Sequence, residues 1–164
     1  MIFFNKIFKI FKIFSTIEIY EKKNNLSLNF SKKYKLKIYK NFFTIKQKEI
    51  LNYFETYKHK KKRFSNNCTF LALTFNQKLV SSGWLYRGKN WKITEIDYML
   101  KVTNKFIIFD FITSLKHRNK GYYTQLLKLI SSKFKNQNIL IYVLSSNKNS
   151  KRAIIKAGFK YKKK

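Results

Sequence analysis

The sequence predicts an α/β fold with one mixed sheet, in which antiparallel hairpins come first and a βαβα unit follows. Three observations point there. Two β-rich runs, "CTFLALTF" and "KLVSSGWLY", flank the short polar turn "NQ", which is a hairpin signal. Two nearly continuous apolar runs, "KFIIFDFIT" at 105–113 and "NILIYVL" at 138–144, read as strands buried on both faces. After each of them the apolar period lengthens to that of a helix.

The elements follow in chain order. The opening "MIFFNKIFKIFKIF" sets Lys6, Lys9 and Lys12 at every third position among Ile and Phe. As a helix, residues 1–14 would either pack on the domain or lie on a membrane surface. Residues 15–40 hold two short β-favouring pieces, "STIEIY" and "KLKIYK". From Thr44, "TIKQKEILNYFETYKHKKK" reads as a helix with Ile45, Ile50, Leu51 and Phe54 on one stripe. The hairpin from Cys68 comes next. "KITEIDYML" then reads as one strand, with Glu95, Asp97 and Met99 on one face and Ile96, Tyr98 and Leu100 on the other. The strand at 105–113 leads into a helix near Gly121, where Tyr123, Leu126, Leu127, Ile130 and Phe134 keep helical spacing. After the strand at 138–144, "NKNSKRAIIKAGF" makes a short helix with an Asn or Ser to cap its start and Gly158 to end it. A helix crossover between strands favours parallel pairing. The division is a less regular segment, 1–67, and a core, 68–164, within one domain.

Composition excludes several classes of function. With 37 basic and 7 acidic residues the formal charge is +30, which suggests a polyanion as partner. Almost all of that charge is Lys, however, spread along the whole chain; Arg occurs only at Arg63, Arg87, Arg118 and Arg152. Nucleic-acid surfaces use the planar fork of Arg, so a solvated surface explains the lysines better and no specific nucleic acid is expected. Cys68 stands alone, which excludes an internal disulfide and a thiolate metal site and suits a reducing, cytoplasmic setting. The longest uninterrupted apolar run at the start, "MIFF", is too short to cross a bilayer or to serve as a secretory core. His59, in "YKHKKKR", has no carboxylate near it in sequence and reads as exposed.

The stretch with chemistry in it is "SLKHRNKGYYTQLLKLI". A strand that ends at Thr113, a basic loop and a helix that begins near Gly121 gather unpaired backbone N–H groups at a positive helix end, which suits an anion. Arg118 and Lys120 add charge there. The second stretch, from Asn147, sets Asn147, Ser150, Lys156, Gly158 and Phe159 behind a buried strand. Together the two stretches resemble the GNAT superfamily of acetyl-CoA-dependent N-acetyltransferases over roughly residues 68–160. Arg118, Gly121 and Tyr123 stand at the marked positions of that family's R/Q-x-x-G-x-G/A loop; Asn147, Ser150, Gly158 and Phe159 meet its later N-x-x-S and G-F signature.

The resemblance implies a GNAT-like fold with splayed parallel strands, acetyl-CoA as co-substrate, and a small amine, such as an amino sugar or nucleotide sugar, as acceptor. It implies that backbone at Phe111, Ile112 and Thr113 meets the pantetheine arm, that Arg118, Asn119, Lys120, Gly121, Tyr122 and Tyr123 cradle the diphosphate, and that Asn147 and Ser150 orient the arm from the second strand. Three positions depart from the pattern. Tyr123 replaces Gly or Ala, Asn119 replaces a common Gly, and Ile154 stands where many members hold a Tyr as general acid. The base is open among Glu95, Asp97 and Asp110, with Glu95 and Asp97 preferred; His117 reads as a surface residue of the loop. The chain ends at "YKKK", where the family usually adds strands, so a partner chain could complete the sheet as a homodimer. A noncatalytic or truncated acyl-CoA-binding module and a basic protein that binds polyanions or a membrane surface on the same scaffold are the alternative readings.

Overall fold

The computed structural model describes residues 16–22, 33–46, 50 and 58–162. The amphipathic opening and most of the helix expected from Thr44, with Leu51, Phe54 and the His59 side chain, lie outside the described residues. Within them, Ile45 and Ile50 are buried, and residues Lys58–Asn66 form a 3-10 helix that leads into the first hairpin.

Nine strands and two α-helices make up the described chain. In chain order they are β1 (Ile17–Lys22), β2 (Tyr34–Tyr39), β3 (Cys68–Phe75), β4 (Lys78–Arg87), β5 (Asn90–Ile93), β6 (Tyr98–Lys101), β7 (Lys105–Thr113), α1 (Tyr122–Lys133), β8 (Asn138–Leu144), α2 (Lys148–Lys156) and β9 (Lys160–Tyr161). Seven strands form one mixed sheet in the order β2-β3-β4-β7-β8-β1-β9. The α/β class and the antiparallel-then-parallel order agree with the sequence reading. Its hairpin turns on Asn76 and Gln77, both at positive φ (47° and 67°), the two-residue turn whose twist matches that of its strands.

Strand alternation builds two cores. Leu71, Leu73, Phe106, Ile108, Ile139 and Ile141 face α1 and α2, where Leu126, Leu127, Ile130, Ile154 and Phe159 meet them. Phe70, Ala72, Trp84, Ile107 and Leu140 face the other way, onto Ile45, Ile50 and the β5–β6 hairpin. Both faces are therefore covered, which is why β7 and β8 are apolar almost throughout. Helix α2 ends in a Schellman turn: Gly158 sits at φ 85°, Phe159 N–H donates to Ile154 O and Gly158 N–H to Ile155 O. The Gly-Phe signature thus caps the helix and buries Phe159 against Ile154.

Two expectations are corrected. "KITEIDYML" is a hairpin, not one strand: β5 pairs with β6, and residues 94–97 form the turn between them, with Asp97 at φ 50°. The alternation of Glu95 with Asp97 was the accident of a turn. The edge of β8 is also occupied. β1 pairs antiparallel with it from Ile17↔Leu144 to Lys22↔Ile139, and β9 adds to the far side of β1. The chain's own N-terminal strand fills the place from which a homodimer was inferred.

Ion pairs tie β1 down at both ends. Glu18 meets Lys151 of α2 at 2.8 Å, and Glu21 meets Lys105 of β7 at 2.8 Å. The Lys151 ammonium, then the Tyr20 hydroxyl, holds the Glu18 carboxyl below its usual 4.5. A carboxyl lowered in the folded state contributes stability above its unfolded value, and that contribution is lost as pH falls through the folded one. Glu18→Gln is expected to unfold at lower urea than the wild type at pH 7, with the gap closing below about pH 4. Urea midpoints measured across pH 7 to pH 3 check this.

Candidate functional site

The site begins with a bulge. In the antiparallel pairing of β4 with β7, Ser82 stands opposite Ile112 and Trp84 opposite Phe109, so two residues, Asp110 and Phe111, oppose Gly83 alone. Asp110 takes φ 49°, the left-handed conformation that Asp tolerates better than most residues. Normal alternation would put Phe111 on the same face as Phe109. The extra residue turns it over: Phe109 lies in the core away from the helices, Phe111 against the helix-side core. Gly83 is what admits it, because a Cβ there would fall 2.4 Å from the Phe111 ring.

The parallel ladder stops before this bulge. β7 and β8 pair from Lys105↔Asn138 to Ile108↔Ile141 and no further. From Phe109 to Thr113, β7 is bonded to β4 only, and its other edge is open toward β8.

At the end of that open edge lies the basic loop. Its amides at His117 and Arg118 turn back to Ser114 O and Leu115 O, but those of Asn119 to Thr124 donate to no acceptor among the described residues. The first bond of α1 is Gln125 N–H to Gly121 O at 3.0 Å. Asn119 (φ 59°) and Gly121 (φ 74°) both take left-handed conformations, which fold the loop so that these amides converge at the helix start. The position of a Gly121 Cβ has nothing within 4 Å, so the approach is open. The Arg118 Nε donates to Thr113 O at 3.3 Å and closes the loop on the strand.

Two clefts, each about 570 Å³, open on opposite sides of the parted strands. The helix-side cleft runs from the loop to α2. Phe111, Ile112 and Thr113 form one wall, Arg118, Asn119, Gly121, Tyr122 and Tyr123 the end, and Asn147 and Ser150 the far wall. Arg152 and Lys156 of α2 complete it, and no carboxylate lines it. The second cleft is lined by Tyr86, Trp91, Phe109 and Tyr142, with Arg63, Lys92, Glu95 and Asp110 among them. Phe111, Tyr123, Asn147 and Ser150 line both, so the clefts meet there.

Of the residues expected at a coenzyme site, all but Lys120 line the helix-side cleft; Lys120 is exposed outside it. Asn147 caps α2 through its side-chain oxygen, which accepts the Ser150 N–H at 3.0 Å, leaving its NH2 group for the cleft. Ile154 is wholly buried in the helix-side core, so that position offers packing and no proton. Tyr123 resolves its own departure from the pattern: its ring packs at a tilt against Phe111 (5.2 Å) at the junction, and burial raises its hydroxyl well above the usual tyrosine value. His117 packs edge-on against Tyr122 at 5.8 Å.

The two preferred carboxylates part company. Glu95 lines the aromatic cleft; Asp97 projects to solvent, 73% exposed, and pairs with Lys92 at 2.7 Å. Asp110 is bound to Arg63, also at 2.7 Å, and the Arg63 guanidinium lies over the rings of Trp84 and Phe109. Burial first, then the Glu95 carboxylate, pushes the Tyr142 hydroxyl up to about 12, with Trp91 and Arg63 acting in the opposite sense. Sequence reasoning missed Arg63, Trp91, Tyr142 and Arg152. Two signals were present: three of the four arginines line these clefts, and Tyr142 is the one aromatic residue in "NILIYVL".

No family model matches this chain, and no curated protein matches it. Solved structures do. A GNAT-family acetyltransferase from Colwellia psychrerythraea superposes with a TM-score of 0.54 at 13% identity, covering 90% of this chain and 53% of its own. A GNAT-family protein from Novosphingobium aromaticivorans gives 0.58 at 9% identity, covering 90% of this chain and 60% of its own. A GCN5-related N-acetyltransferase from Sphaerobacter thermophilus gives 0.55 at 9%, covering 90% and 49%. The chain spans about half to three fifths of the length of these structures. At such identities the likeness establishes the fold, which is GNAT-like.

The bulge generates a stability test. Gly83→Ala is expected to lower unfolding stability by about 1–3 kcal/mol through overpacking against the Phe111 ring. In a double-mutant cycle with Phe111→Leu the two losses are expected to be less than additive, because the smaller side chain releases the clash. Urea denaturation of the four proteins measures the coupling.

Proposed function

We propose that this chain is an acetyl-CoA-dependent N-acetyltransferase that moves an acetyl group to the amine of a small acceptor. One observation carries the reading: a single cleft joins residues 119 and 121–124, whose amides have no acceptor among the described residues, the open strand edge at 111–113 and the cations Arg118, Arg152 and Lys156. Coenzyme A is a diphosphate joined to an amide-bearing arm. Loop amides and arginine forks suit the diphosphate, and a strand edge suits the amides of the arm. Acetyl-CoA itself brings the activated thioester.

The remaining chemistry falls to side chains at the junction. An amine attacks the thioester carbon, and the oxygen that becomes anionic is stabilised by a β7 backbone N–H near Thr113. The ammonium proton must leave before the nitrogen can attack; Glu95, in the acceptor-side cleft, is its acceptor, directly or through water. The departing thiolate takes a proton from Tyr123, and the proton that the acylated nitrogen then sheds restores that hydroxyl; raised above the usual tyrosine value, it stays protonated at physiological pH and stands in for the residue that Ile154 replaces. Holding both substrates in adjoining clefts supplies much of the rate.

A second reading is favoured by one fact, the burial of Ile154: the chain binds acyl-CoA without turning it over. Release of free thiol from acetyl-CoA in the presence of amines separates the two. As for other partners, no described helix is long and apolar enough to cross a membrane. Surface contact by residues 1–14 and homodimer formation stay proposals, tested by vesicle sedimentation and by mass in solution.

Two outcomes are expected. Gly121→Glu abolishes coenzyme A binding by calorimetry while the protein stays folded, since the new carboxylate enters open space where the diphosphate lies; unchanged affinity would refute the reading. Tyr123→Phe lowers kcat by about 10²–10⁴. With S-acetyl 4-nitrothiophenol, whose thiolate leaves unprotonated, that deficit is expected to shrink. An equal loss with both donors would assign Tyr123 a packing role instead.

A further inference from the structure

The reading above leaves the acceptor open, and the cleft on the face away from the helices narrows it. We infer that this cleft is built for an organic cation, a primary ammonium on an apolar, ring-sized stem, with Glu95 as its counter-charge and the rings of Trp91, Phe109 and Tyr142 as its walls. The inference rests on the transferase reading for its chemistry, but not for binding.

Size and lining come first. About 570 Å³ is room for a small molecule. Trp91 lies 4.3 Å from Phe109 and 4.8 Å from Tyr86, ring centroid to centroid, so the three form a continuous aromatic surface. Such a surface takes an apolar stem, and its ring faces attract positive charge.

The pairing of charges then decides the sign of the ligand. Both cations of the cleft are engaged: Arg63 holds Asp110 at 2.7 Å, and Lys92 holds Asp97 at 2.7 Å. Glu18 and Glu21 have their own lysines. Glu95 differs from these four. Its carboxylate accepts only the neighbouring Thr94 hydroxyl at 3.3 Å, and no cation pairs with it among the described residues. In a chain with 37 lysines and arginines, a carboxylate without a cation is the exception, and this one faces an aromatic cleft.

An anionic acceptor finds the opposite conditions there. A nucleotide sugar would set its phosphates beside Glu95 and against guanidinium and ammonium groups already neutralised. The cationic helix-side cleft suits phosphate; this one does not. The two clefts thus sort their ligands by charge, diphosphate on one side and ammonium on the other, and meet at Tyr123 and Phe111.

The test uses the full chain, without coenzyme, and three probes that share a benzyl group and differ in charge: benzylammonium, benzyl alcohol and phenylacetate. Calorimetry is expected to show benzylammonium binding at least tenfold tighter than the other two. Glu95→Gln removes that preference and leaves benzyl alcohol unchanged, whereas Trp91→Leu weakens all three; thermal melts establish that both variants fold. Equal or tighter binding of phenylacetate, an unchanged order in Glu95→Gln, or no binding of any probe would overturn the inference. Coenzyme A affinity measured on the same proteins keeps the two claims apart. Loss of amine preference with coenzyme A still bound sinks only this one. Amine preference without coenzyme A binding sinks the transferase reading and leaves a cation site.

Discussion

A strand bonded along both edges has no backbone to offer a ligand, and everything distinctive about this molecule follows from β7 being released from that condition. The release is local. Ile108 is the last β7 residue paired to β8; two residues later Asp110 enters the left-handed region, and Phe111 comes out on the opposite face. The absence of a side chain at Gly83 makes the inversion sterically possible. Without the bulge, Phe111 would join the wall of the aromatic cleft, and Tyr123 would lose the ring on which it packs. One inserted residue therefore makes an open strand edge and a boundary between two clefts.

Charge is the second constraint. At +30, repulsion among lysines is the background against which each carboxylate acts, and four of the five described ones stand at structural joints. Glu18 and Glu21 fasten β1 onto the edge of β8, Asp97 closes the β5–β6 hairpin onto Lys92, and Asp110 steadies the bulge through Arg63. Partly exposed pairs of this kind contribute little stability one by one. Their value here lies in where they put backbone. Glu95 has no such task, which is why a chemical role is sought for it.

Much of this was legible in the chain, because the relevant signals are local. The period change at Tyr122, the Asn147 cap and the Gly158–Phe159 stop are each set by a few neighbouring residues, and the strands at 105–113 and 138–144 have the expected bounds. The failures are of two physical kinds. The strand expected at 92–100 is a hairpin because alternation cannot reveal a positive φ at Asp97 inside it. The docking of β1 against β8 joins segments more than a hundred residues apart, and no pattern in "STIEIY" names its partner. The aromatic cleft showed in the sequence only through Glu95 and Asp110, for the same reason: Arg63, Trp91 and Tyr142 come from three separate elements. The helix-side cleft could be seen because most of it is one loop and one cap.

The residue that departs most from the resembled pattern, Tyr123, follows from the same geometry. A glycine or alanine at that position would give Phe111 no ring to pack against. Here the second helix gives Ile154 to the core, where it packs with Phe159 in the Schellman turn, and a tyrosine there would have to bury its hydroxyl among aliphatic side chains. Phe111, inverted by the bulge, gives the Tyr123 ring a neighbour to pack on at 5.2 Å, and Tyr123 becomes one of the four residues that line both clefts. Ile154 and Tyr123 are thus coherent as packing: the aliphatic residue fills the core beside Phe159, and the aromatic one meets the phenylalanine that the bulge turned over.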